Sequence, residues 1–234
     1  MIAADDPTSP EPGAASVAAA ARSRPPDSPA RPRVRMTGKE RREQLVEVGR
    51  SLFAERGFEA TSIEEIAARA GVSKPVVYEH FGGKEGLYAV VIDREMAALL
   101  TRITSSLTIG HPRDMLEQAA LALLTYIEEE TDGFRILVRD SPLPSNTGTF
   151  SSLLNDIARQ VEYILAREFS RRGYEEKLAE MYSQMLVGMV VVTGNWWLEE
   201  QSPPRDVVAA HLVNLAWNGL SGMERRPGLR MGRA

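Results

Sequence analysis

The chain has 234 residues, 43% of them apolar and none of them cysteine, with a formal net charge of -4. That apolar share is ample for a packed core in one large domain or two small ones, and the missing thiols exclude disulfides and thiolate metal sites and suit a reducing compartment, the cytoplasm. The acidic total argues against a polyanionic partner only until its distribution is read: Arg22 to Arg42 carry a net +6, while residues 86 to 223 carry a net -7. A basic arm on an acidic body suits a protein that touches phosphate with one end only.

Residues 1–35 are rich in Pro, Ala and Ser with almost no aliphatic pattern, and read as a disordered tail with a basic end. The apolar run from Ala14 to Ala21 follows Asp5, Asp6 and Glu11 and is too short to span a bilayer, so neither an export signal nor a membrane helix is expected. Thr37 and Glu40 have capping-box spacing, and Leu45, Val48, Leu52 and Phe53 form a helical stripe ending at Gly57. Thr61 and Glu64 predict a second capped helix with Ile63, Ile66, Ala67 and Ala70 inward, ended by Gly71. Ser73 as cap and Pro75 in the first turn start a third helix. Val72, Val77 and Phe81 can face inward from it, leaving Lys74, Val76, Tyr78, Glu79 and His80 outside.

Gly82 and Gly83 break that helix, and Lys84 opens a long fourth one to about Leu107, with Leu87, Val91, Met96, Leu99 and Ile103 on its buried side. Pro112 and Asp114 start a fifth, to about Glu130. Gly133 to Asp140 is a short apolar segment and Ser141 to Gly148 a loop. Helices over about 149–172 and 175–200 follow. The second is apolar nearly all round and so is expected to be buried on several sides. A last helix starts near Ser202 to Asp206, and the chain after Gly222 is a basic tail. The expected architecture is all-α, about nine helices: a three-helix helix-turn-helix head over 36–83, a helical body over 84–222, and tails at 1–35 and 223–234.

The stretch FAERGFEATSIEEIAARAGVSKPVVYEHFGGKEGLY, within residues 41–88, resembles the TetR family of bacterial transcriptional regulators in spacing, caps, turn glycine, Tyr and Phe. The resemblance implies a homodimer with a DNA-binding head and an internal ligand pocket in each subunit, and no enzymatic activity or cofactor. By family position Ser73, Lys74, Pro75, Val76, Tyr78, Glu79 and His80 would face the DNA groove. Val76 suits a thymine methyl, Lys74 a guanine edge or phosphate, and Glu79 a cytosine amine. Thr61, Ser62 and Lys84, at helix starts, would hold phosphates. Lys39, Arg41 and Arg42, with Arg31, Arg33 and Arg35 before them, would add backbone contacts, although a solubilising role suits the last three equally.

In the family layout the pocket would draw on Leu99, Leu100, Ile103, Tyr126, Phe134, Leu137, Tyr163, Met185, Met189, Val192 and Trp196, an apolar set suited to a bulky hydrophobic effector such as an acyl chain. Trp197, Val208, His211, Leu212, Leu215 and Gly219 would form the dimer interface. The expected function is a repressor released from a palindromic double-stranded operator by that effector. An activator, or a repressor whose ligand strengthens binding, would use the same head. An all-helical enzyme or small-molecule carrier is the rival class, and the sequence offers it little. Gly219 to Met223 misses the nucleophile-elbow pattern, and His80, His111 and His211 share no metal-ligand spacing.

Overall fold

The computed structural model describes residues 36–107, 110–139 and 149–229. The expected N-terminal tail, with Arg31, Arg33 and Arg35, and the loop 141–148 lie outside the described residues. Nine α-helices run through the described part: α1 (Gly38–Ala60), α2 (Ile63–Ala70), α3 (Lys74–Phe81), α4 (Lys84–Ser106), α5 (Pro112–Glu129), α6 (Thr131–Val138), α7 (Phe150–Arg172), α8 (Leu178–Glu200) and α9 (Arg205–Ser221).

Local chemistry sets the head's helix ends. Thr37 caps α1 as expected: its hydroxyl accepts from the Glu40 amide at 3.2 Å, and its own amide donates to the Glu40 carboxylate at 2.7 Å. α1 is interrupted at Gly57, whose φ of 81° only glycine adopts without strain, before closing at Ala60. At α2 the capping box is displaced by one residue from the expected Thr61–Glu64 pair. Ser62 accepts from the Glu65 amide at 3.2 Å and its amide donates to the Glu65 carboxylate at 3.1 Å. Thr61 instead ends α1, buried, its hydroxyl donating to the Gly57 carbonyl at 2.7 Å, one of the acceptors that the interrupted helix leaves unpaired. α2 closes at Gly71 in the left-handed region, with φ 66°. Ser73 stands at the N-cap position of α3 without a side-chain cap bond, and Pro75 lies in its first turn.

The head's core is Leu45, Leu52 and Phe53 of α1, Ile66 and Ala67 of α2 and Val77 of α3, and it continues without a break into Leu87, Tyr88 and Val91 of α4. The Tyr88 ring stands edge-on to Phe53 at 5.0 Å and tilted against Phe58 at 4.9 Å. α1 and α4 cross at Gly49, where an added Cβ would lie 2.8 Å from Leu87 Cδ2. α4 thus belongs to both halves: α5, α6 and α7 pack on it, α8 packs chiefly on α7, and α9 packs on α5. A smaller cluster of Leu165, Phe169 and Ala179 joins α7 to α8. The chain after α9 is strapped to that hairpin: the Tyr174 hydroxyl donates to the Met223 carbonyl at 2.9 Å and Arg225 to the Arg172 carbonyl at 3.2 Å. No helix among the described residues is long and apolar enough to cross a membrane.

Replacing Ser62 by Ala should lower stability by about 1 kcal/mol in urea unfolding at neutral pH. The capping bonds from the Ser62 amide and hydroxyl hold the Glu65 carboxyl below its usual range. Its contribution is therefore complete above the ordinary carboxylate value and lost as pH falls through the depressed one, and Glu65→Gln should flatten that acid dependence.

Candidate functional site

The exposed surface of α3 carries Lys74, Pro75, Tyr78 and Glu79, with Ser73 just before it. Val76 and His80 are half-buried, and Val76 packs partly on the head core. The Lys74 ammonium pairs with Glu64 of α2, a bond that holds the Glu64 carboxyl below its usual range. Two of the expected phosphate contacts are engaged internally. Arg42 donates to the His80 carbonyl at 2.6 Å and lies 4.3 Å over the Phe81 ring, bracing the end of α3 from α1. Lys84 donates to the Phe58 carbonyl at 2.9 Å and sits 4.2 Å over the Phe58 ring. With Thr61 buried and the Ser62 hydroxyl occupied in its capping box, the start of α2 is closed by the protein itself, whereas α3 and α4 start without a side-chain cap. Lys39 is exposed, and Arg41 donates to Gln44 at 2.5 Å. Further head cations pair with head carboxylates: Arg56 with Glu65, and Arg69 with Glu55 at 2.8 Å. Residues 36–83 hold seven basic and eight acidic side chains.

The body holds a partly open cavity of about 120 Å³ lined by twenty residues, all apolar. Leu99 and Ile103 of α4 line it as expected. Opposite them stand Met115, Leu116, Ala119 and Leu123 of α5, Val187 and Val190 of α8, and Trp217 and Leu220 of α9. The largest share comes from α7, whose Phe150, Leu154, Ile157, Val161 and Ile164 recur at spacings of four, three, four and three. That stripe was legible as an apolar helix face, yet α7 supplied only Tyr163 to the expected set, and Tyr163 points to solvent. Tyr126, Phe134 and Leu137 are buried in the core beside the cavity rather than lining it. Phe134 sits behind the wall, edge-on to Phe150 at 6.3 Å. Leu100 and Met189 are half-buried against the core.

On α8 the expected assignments exchange places. Met185, Val192 and Trp196, expected in the pocket, are exposed, and with Met181 they form one stripe along the helix. Trp197, expected at the interface, is 1% exposed and donates its indole N–H to the Pro203 carbonyl at 2.8 Å, whereas Trp196 beside it is 51% exposed. A helix apolar nearly all round has no polar face to fix its rotation, and neighbouring residues point about 100° apart. On α9, Val208 and Leu212 turn inward, while His211, Leu215 and Gly219 lie on the exposed side with Val207. Among the described residues no group of three His, Asp or Glu side chains is arranged to hold a metal ion.

A short helix pair whose second member exposes polar residues, on a helical body with an apolar cavity, is the arrangement of a one-component regulator. Residues 45–91 match the family model for bacterial regulatory proteins of the tetR family, and residues 107–231 that for the tetracyclin repressor-like C-terminal domain. The chain belongs to the TetR family. It is 31% identical over 191 residues to the HTH-type transcriptional activator FasR of Mycolicibacterium smegmatis, across 80% of this chain and 86% of that one. The HTH-type transcriptional repressor Rv3405c of Mycobacterium tuberculosis is 41% identical over 75 residues, 32% of this chain and 38% of that one. A TetR-like transcriptional regulator from Rhodococcus sp. RHA1 superposes with a TM-score of 0.65 at 25% identity, across 81% of this chain and all of that one. The protein is a DNA-binding transcriptional regulator of a family whose members bind small-molecule effectors and form dimers, and that family is not an enzyme class.

Filling the cavity should separate ligand uptake from folding. Ala119→Leu places a larger side chain on the α5 wall and is expected to leave the melting temperature unchanged or raised. It should weaken uptake of a fluorescent long-chain fatty acid by about tenfold or more, which is about 1.4 kcal/mol.

Proposed function

We propose that this TetR-family regulator is a repressor released from a palindromic operator when a hydrophobic small molecule, an acyl compound by preference, enters the cavity. One observation carries the reading: Leu99 and Ile103 wall an all-apolar cavity on the same helix whose Leu87, Tyr88 and Val91 complete the core of the head. Ligand sites commonly measure about 300–1,000 Å³. At about 120 Å³ the cavity must spread to admit a long chain, and its α4 wall then moves relative to α1. Typical coupling of this kind is about 1–3 kcal/mol, or about 5–150-fold in DNA affinity.

In this reading Lys74, Tyr78 and Glu79 approach base edges, with Ser73, Pro75, Val76 and His80 around them. Lys39, Arg41 and the arginines before Met36 supply phosphate contacts. Because the head itself carries no excess of positive charge, sequence-independent affinity comes mainly from that arm. Two subunits pair through the exposed stripes of α8 and α9, which sets their heads about 34–36 Å apart, one DNA turn.

An activating version of the same switch is the second reading, favoured by the similarity to FasR, a transcriptional activator by name. A reporter driven by the protein's own upstream region decides between them: deleting the gene raises expression under repression and lowers it under activation.

A gel shift on that upstream DNA should give a retarded band that a long-chain acyl thioester weakens. No band at low salt, or indifference to every hydrophobic ligand tried, would sink the proposal. Lys74→Ala should weaken specific binding by about 1–3 kcal/mol if the ammonium reads a base. Removing residues 1–35 should lower the slope of log affinity against log salt by about 0.9 for each phosphate that the arm had neutralised. Val192→Glu with Trp196→Glu should yield a monomer in sedimentation and abolish the shift on a full operator.

A further inference from the structure

A nearly buried polar cluster stands where the head meets the body. The Glu95 carboxylate of α4 has one oxygen on each side of that junction. Oε1 accepts from Arg50 Nε of α1 at 2.7 Å, and Oε2 accepts from the Tyr126 hydroxyl of α5 at 2.5 Å. Arg50 also donates to Glu130 at 2.6 Å, just beyond α5, and lies 3.5 Å from Glu47. The side chains of Arg50 and Glu95 are only 14% and 12% exposed. Burial pushes the Tyr126 phenol well above its usual range and the Glu95 charge adds to this, so the hydroxyl remains a donor. Burial alone would lower the Arg50 value, but Glu95 and Glu130 outweigh it and the guanidinium stays charged. α6 closes the cluster with Gly133, where an added Cβ would fall 1.9 Å from Glu95 Oε2.

The register of these residues ties the cluster to the cavity. Glu95, Leu99 and Ile103 follow one another at intervals of four on α4, so the carboxylate lies one helical turn from the cavity wall on the same face. Tyr126 likewise follows Leu123, a lining residue, by three on α5. Both body-side supports of the carboxylate therefore belong to walls that an occupant would spread, while its other partner belongs to the head. A buried ion pair is held by geometry, and parting it leaves uncompensated charge in a poorly solvated place, so the joint resists gradual deformation.

We propose that Glu95 is the positioning residue that passes cavity occupancy to the head, by holding Arg50 with one carboxylate oxygen and Tyr126 with the other. The proposal rests on the ligand-controlled reading above. Three variants of the full chain separate chemistry from position. Glu95→Gln removes the charge, Tyr126→Phe removes the body-side bond, and Gly133→Ala crowds the carboxylate with its charge intact.

The first test measures affinity for the upstream duplex with and without palmitoyl thioester, and uptake of that probe by quenching of Trp217, which lines the cavity. The variants should take up the probe and bind DNA in its absence like the parent chain. The probe-induced loss of DNA affinity should shrink to about one third or less of its parent value, a change well inside usual coupling ranges. Retention of the whole loss in all three variants overturns the proposal.

The second test needs no ligand. All three tryptophans, Trp196, Trp197 and Trp217, lie on α8 and α9, so their fluorescence follows the body while far-ultraviolet dichroism follows every helix. The two melting curves should coincide in the parent, and in Glu95→Gln the dichroism should fall first as the head parts from the body. Coincident curves in that variant also overturn the proposal. Should the parent bind the probe with no change in DNA affinity, the repressor reading fails, and the melting curves still decide whether Glu95 joins the two halves.

Discussion

The crossing of α1 over α4 at Gly49 is the contact on which the rest of the molecule depends. A Cβ there would meet Leu87 Cδ2 at 2.8 Å, so the Leu87 side chain fills the space that the missing side chain of Gly49 leaves on α1. Leu87, Tyr88 and Val91 then enter the core beneath α1 to α3. A head of under fifty residues is marginal on its own buried surface. The first turns of α4 share that core, and so fix where α3 stands relative to α4. One helix thus serves the head core at its start and the cavity wall further along, with no separate linker between them.

The head's own electrostatics are directed inward. Arg42 holds the end of α3, Lys84 caps the turn at Phe58, and Arg56, Arg69 and Lys74 face Glu65, Glu55 and Glu64. Several of these pairs are exposed, and each such pair contributes little to stability. Their larger effect is to fix where cations stand relative to the exposed surface of α3. In the proposed role, Lys74 would exchange its pairing with Glu64 for an anionic partner on the duplex.

What the sequence made legible was local. Thr37 with Glu40, Gly71 in its left-handed turn, Pro75 in a first turn and the 3.6-residue stripes of α1, α2 and α4 are each decided within a few residues, and they brought out the helix order and the head. Placement within a local pattern was less secure. Thr61 and Ser62 both stand three residues before a glutamate, and only the interruption of α1 at Gly57 decides which hydroxyl serves which helix. On α8 the lack of a polar face left Trp196 and Trp197 interchangeable. Long-range pairs were not legible at all: Arg50 reaches Glu95 and Glu130 across 45 and 80 residues, and Arg42 reaches His80 across 38. A charged residue on an amphipathic helix reads as solvated until its partner's helix is in place. Family position misled in the same way, because it located helices four to eight around a pocket without fixing which residue of each faced it.

The strap of chain that follows α9 limits how the protein can be extended. Met223 and Arg225 are tied to Tyr174 and Arg172, and the helix they follow ends with Trp217 and Leu220 in the wall of the cavity. A tag or fusion partner carried by this segment would pull on a wall of the cavity. Affinities measured on C-terminally extended protein would then reflect the appendage as well as the cavity, and a cleavable extension is the sounder design for handling it.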